Sequence, residues 1–145
     1  MKWISARVMA ICLLVVGLAG RSYLFYPRAG DYLGQAKGAT GTDTIINLTA
    51  MLEASAKDAR GENYQNGLDD LHNQMHALHD AMCGVTKEQA TTPIYAKAVT
   101  IHKELWVIFK RLWKTRKDQA LRDAHLDLFT KRVQELREII QTLKG

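Results

Sequence analysis

The sequence predicts an all-α protein: an antiparallel four-helix bundle, preceded by an N-terminal signal peptide or single membrane anchor and a Gly-rich linker. Three observations carry this. The 145 residues are 47% hydrophobic, enough for a real core in one modest domain. Proline occurs only at Pro27 and Pro93, so long stretches rich in Ala, Leu, Lys, Glu and Gln run without a break. Apolar residues recur three and four apart, and no alternating strand pattern of useful length competes with them.

The N-terminus comes first. "MKWISAR" supplies two positive charges, and "VMAICLLVVGLAG" follows as a 13-residue apolar run ending in small residues. This is the order of a secretory signal peptide. A spanning helix needs about 20 apolar residues. An uncleaved anchor therefore has to extend through "RSYLFY", with Tyr23 and Tyr26 as interfacial aromatics. Residues 1–26 are read as signal peptide or signal anchor, and both readings put the remainder outside a bacterial inner membrane, in the periplasm or facing it. Cys12 follows bulky Ile11, which does not suit a lipoprotein signal.

Residues 27–42, "PRAGDYLGQAKGATGT", read as a linker with local order around Tyr32 and Leu33. Residues 43–145 form the helical domain. A first helix is expected over about 43–59, capped by Thr42 or Asp43, with Ile45, Leu48, Leu52 and Ala56 as its stripe. "ARGEN" is the turn into a second helix over 64–83, which stops at Gly84. Thr86 and Gln89 make a capping box, and Thr92 with Pro93 begins a third helix running to about 114. Its apolar face carries Ile94, Ala98, Ile101, Leu105, Ile108 and Leu112, widened by Trp106, Phe109 and Trp113. The fourth helix, about 118–144, offers Leu121, Leu128, Val133, Leu136, Ile140 and Leu143. The apolar phase slips across "KTRKD", which predicts a tight turn there; without it, one helix of roughly 50 residues would favour a dimer or elongated hairpin.

The second helix contains "DLHNQMHALHDAMC". At about 100° per residue, Leu68, Leu71, Met75, Leu78 and Met82 share a core seam, and His72, His76, His79 and Cys83 share the stripe beside it. Imidazole and thiolate are ligands for copper, zinc or nickel, and side chains four apart can grip one ion. One helix rarely completes a coordination sphere, so His102 and His125 are the partner candidates. The plain alternative is a boundary stripe whose rings cover apolar surface. Asp70 and Asp80 are carboxylates near these rings, with solvated helix positions or ring orientation as their two readings. Cys83 is the only cysteine outside the leader, so it cannot close an internal disulfide once the leader is gone.

Two resemblances bear on function. An exported four-helix bundle resembles the periplasmic haem-b cytochromes and their c-type relatives. That likeness implies haem b held between a methionine on the first helix and a histidine on the last, matched here by Met51 and His125. Met51 lies off the apolar stripe and His125 comes early in its helix. No CxxCH occurs, so covalent haem is not expected. The stretch His72, His76 and "VTKEQ" is similar to periplasmic heavy-metal resistance and sensing proteins, with Val85 where that family has leucine. This likeness covers about 20 residues and implies a membrane-anchored helical hairpin that handles metal.

The net charge is +5, falling to +3 if Lys2 and Arg7 leave with the leader, which does not argue for nucleic acid. G-x-S-x-G, a Gly-rich phosphate loop and HExxH are all missing, so an enzyme is not expected. Trp106, Phe109 and Trp113 beside Lys110, Arg111, Lys114, Arg116 and Lys117 form an aromatic and basic end. It reads either as a core face beside a solvated face, or as a docking surface for anionic lipid or an acidic partner. The leading expectation is a helical module that captures or senses a transition metal through His72, His76, His79, Cys83 and His102. The alternative is a metal-free accessory subunit of a membrane complex, and the third is haem-b electron transfer.

Overall fold

The computed structural model describes residues 27–144. Residues 1–26, which the sequence reads as signal peptide or anchor, and Cys12 with them, lie outside the described residues. Among them the chain is all-helical, without strands: α1 (Ala29–Ala36), α2 (Gly41–Asp58), α3 (Tyr64–Cys83), α4 (Lys87–Ala90), α5 (Pro93–Thr115) and α6 (Gln119–Lys144).

Local chemistry sets the helix ends. Thr40, not Thr42 or Asp43, caps α2: its hydroxyl accepts from the Asp43 N–H, and the Asp43 carboxylate answers the Thr40 N–H. That box moves the start two residues earlier than the sequence suggests. The boxes at Thr86/Gln89 and the Thr92 cap with Pro93 form as expected. Arg116, Lys117 and Asp118 break the chain between α5 and α6, so there is no single long helix.

The linker reading of residues 27–42 needs correction, because eight of those residues form α1. Gly30 and Gly34 face open space, where a missing side chain costs only entropy. Tyr32 is buried, and its hydroxyl donates to Asp70 Oδ1 at 2.6 Å. Asn47 Nδ2 donates to the Ala36 carbonyl at 3.0 Å, tying the other end of α1 to α2.

α2 packs along α3 and α6, and α5 packs along α6. Each of these pairs is antiparallel. Gln74 Nε2 donates to Ser55 Oγ at 2.9 Å between α3 and α2. Arg137 pairs with Glu53 and Thr49 between α6 and α2, and Arg132 pairs with Glu104 between α6 and α5. Gly67 lets α3 approach the end of α2, because a Cβ there would lie 2.5 Å from the Ala59 nitrogen. Leu48, Leu52, Leu71, Met75, Leu78, Leu105, Leu112 and Leu136 are among the fully buried side chains.

The apolar seam of α6 is the expected one from Val133 onward and departs from it before that. Leu126, Phe129, Val133, Leu136 and Ile140 are buried, whereas Leu121 and Leu128 are 47% and 41% exposed. The seam keeps its three-four rhythm back to position 122, where it meets a buried arginine instead of a leucine. Arg122 donates to the carbonyl of Arg116 at 2.8 Å and to that of Arg60 at 3.4 Å, and covers the Tyr64 ring. One guanidinium thereby satisfies carbonyls in both turns at that end. On α5, Ile94 is likewise exposed, in an open groove beside Glu138, Ile139 and Thr142 of α6.

Candidate functional site

α3 faces α5 across a seam of rings. His72 stacks on Phe109, with ring centroids 5.7 Å apart. His76 meets the edge of Trp106 at 4.9 Å. His79 stacks on His102 at 5.5 Å. Trp106 Nε1 donates to His102 Nε2 at 3.2 Å. These flat groups are wider than leucines, and α3 and α5 approach each other less closely than the other long-helix neighbours.

The four-residue spacing brings His72 and His76 together. Their Nε2 atoms are 3.3 Å apart, with the rings inclined at 71°. Both residues are exposed, so an ion can reach them from solvent. Two imidazole nitrogens, each about 2.0–2.1 Å from one tetrahedral ion, lie about 3.3 Å apart by geometry. The His72 ring is held below the usual histidine range, first by burial against Phe109 and then by its neighbour His76; Asp69 opposes this. His72 therefore presents a neutral ring at neutral pH, the form that ligates metal.

The other expected ligands do not join this pair. His102 is buried, and its pKa is pushed down to about 4 by burial and then by His79. An indole N–H only donates, so His102 Nε2 is an acceptor and its lone pair is already used. His79 pairs with His102 rather than with His76. Cys83 is a free, exposed thiol at the end of α3. The stripe therefore divides into a solvent-facing pair, a half-covered pair and an isolated thiol. Among the described residues, no group of three or more His, Cys, Asp or Glu side chains is arranged to hold a metal ion.

Met51 and His125 are not brought together. Thr49 and Glu53 meet Arg137, so Met51 is level with the last third of α6. His125 Nδ1 lies 2.7 Å from the Leu121 carbonyl and 3.3 Å from Thr115 Oγ1, near the turn between α5 and α6. About ten helical positions, on the order of 15 Å, separate the two levels. Asp70 takes no part in ring orientation, since it accepts from Tyr32, whereas Asp69 bears electrostatically on His72. The Trp106–His102 hydrogen bond was missed from sequence although its i,i+4 spacing was in view.

An open groove of about 470 Å³ continues from His72 toward the end of α5. Trp106, Phe109 and Trp113 form its floor, with Lys110 and Lys114 at its rim. Arg116 lies over Trp113 at 4.7 Å. Among the described residues, no helix is long and apolar enough to cross a membrane. No protein-family model, curated protein or solved structure matches this chain.

Proposed function

We propose that this protein captures a transition metal ion through His72 and His76, outside the inner membrane of a bacterium. We further propose that α2, α3, α5 and α6 constitute an antiparallel four-helix bundle, borne on a signal peptide or anchor in residues 1–26. The single observation carrying the metal reading is the 3.3 Å separation of the two Nε2 atoms on an accessible helix edge. Two protein donors leave positions open for water or a donor on another molecule, including a second copy. An open site suits transfer or sensing better than permanent structural binding. Among divalent ions with two imidazoles, copper binds most tightly by the usual order, ahead of nickel and zinc. His79, Cys83 and His102 fall outside the proposed first set of ligands, and the separation of Met51 and His125 gives haem b no support.

The alternative is a metal-free accessory subunit at a membrane, favoured by the aromatic groove. The two readings separate on tag-free protein purified without chelator. Elemental analysis is expected to find copper, nickel or zinc in the wild type. The double variant His72→Ala, His76→Ala loses it with unchanged helicity, and His79→Ala with Cys83→Ala keeps it. Wild-type protein that takes up no metal, or equal retention by the first double variant, rejects the capture role.

A further inference from the structure

The groove that begins at His72 is a built surface whose aromatic floor and lysine rim metal capture does not use. Trp106 and Trp113 are half-buried, one edge covered by the protein and one open. Val107 is 50% exposed next to them. Lys103, Lys110 and Lys114 run along the same side of α5 at spacings of seven and four, so the helical period aligns them. Lys117 in the following turn extends the row. Among the described residues, ion pairs engage Arg60, Lys97, Arg132, Arg137 and Lys144, and none of these four lysines. The only carboxylate within α5, Glu104, is taken by Arg132 on the opposite flank. On the α3 side Asp69 bears on His72, is half-buried and accepts from Gln65. The surface thus combines amphipathic aromatic rings, an apolar gap and a row of cations that form no ion pair among the described residues, with Asp118 beside Lys114 and Lys117 at its end.

Its place in the fold points to a bilayer. α1 runs from the level of Asp70, where Tyr32 is bound, toward the end where Gly41 lies against Gly84. Pro27 is therefore at the opposite end, where α3 begins. Arg122 bonds carbonyls of both Arg60 and Arg116, so α5 finishes at that same end. The 26 residues outside the described structure, with their 13-residue apolar run, join the domain at the end that carries Trp113 and Lys114.

We propose that the groove and the lysine row dock on an anionic lipid bilayer. The open edges of Trp106 and Trp113 enter the headgroup layer, where aromatic rings are favoured, while the Trp106 N–H stays on His102. The lysine stems lie along the apolar gap, and their ammonium groups reach lipid phosphates. A soluble acidic helix would need matching cations on the α3 rim, where the lining residue is His72 instead.

The test uses the full chain with Trp3→Phe, reconstituted in vesicles, so that any tethering by the leader is common to all arms. EDTA is present throughout, which makes the outcome independent of metal capture. Fluorescence of Trp106 and Trp113 is read with brominated phosphatidylglycerol and with brominated phosphatidylcholine. Quenching is expected only in phosphatidylglycerol vesicles, and it falls as salt rises. Lys110→Glu with Lys114→Glu should weaken the salt-sensitive association by at least tenfold to thirtyfold, taking about fivefold per lysine. These side chains are exposed, and circular dichroism checks that the fold is kept. Equal quenching with both lipids, no quenching with either, or displacement from vesicles by a soluble acidic peptide at stoichiometric amounts overturns the proposal.

Discussion

The seam between α2 and α6 and the seam between α3 and α5 are made of different materials. The first joins Ile45, Leu48 and Leu52 to Val133, Leu136 and Ile140, sealed by Arg137 against Glu53 and Thr49. The second is lined by His72, His76, His79, His102, Trp106 and Phe109. Branched aliphatic side chains interdigitate, bring helices close and offer no lone pair. Rings hold helices apart, leave a groove and carry donor nitrogens. The difference teaches that aliphatic packing and nitrogen-bearing rings lie on opposite sides of one small domain.

The largest test of that division compares two phenylalanines. Phe129 is fully buried, and Phe129→Ala should cost about 3–5 kcal/mol in chemical denaturation. Phe109 borders the open groove, so the space left by Phe109→Ala is reached by water and should cost less. Equal losses would break the comparison.

The ring side should instead govern pH dependence. His102 has a folded pKa of about 4 against the ordinary 6.5. The unfolded chain therefore binds more protons between those values, and stability falls as pH drops through that window. His72 is shifted in the same direction. The His102 contribution reaches about 3 kcal/mol below pH 4. His102→Gln keeps an acceptor for Trp106 but does not titrate, so it should flatten the pH profile of the melting temperature.

Glycines give a smaller contrast. Gly67→Ala pushes a Cβ to within 2.5 Å of the Ala59 nitrogen. Overpacking of about 1–3 kcal/mol outweighs the helix gain of about 1 kcal/mol. Gly34 faces open space in α1, so Gly34→Ala should stabilise by about 0.4–1 kcal/mol. The two melting temperatures should move in opposite directions.

Much of this was legible from local chemistry. The Thr86/Gln89 box and the Thr92–Pro93 start rest on caps within a few residues, and the extent of α3 on its periodicity, since Asn63 makes no side-chain cap bond and Gly84 is not left-handed. The leucine and methionine seam of α3 follows from its period and is buried. What failed depended on distant partners. α1 hides in a Gly-rich stretch, because Tyr32 reaches Asp70 across 38 positions. The start of the α6 seam was misread because Arg122 occupies an apolar position and is satisfied by carbonyls from two turns. The histidine stripe was visible, but its division was not. Which ring pairs with His79 depends on the register of α5, and no spacing within α3 contains that information.

The most direct test of the central claim is a zinc titration of protein with nitrogen-15 in its histidine rings. The account predicts that the Nε2 resonances of His72 and His76 shift together and saturate at one equivalent, while those of His79 and His102 stay in place. Shifts spread evenly over all four rings, or no shift at His72 and His76, would contradict it.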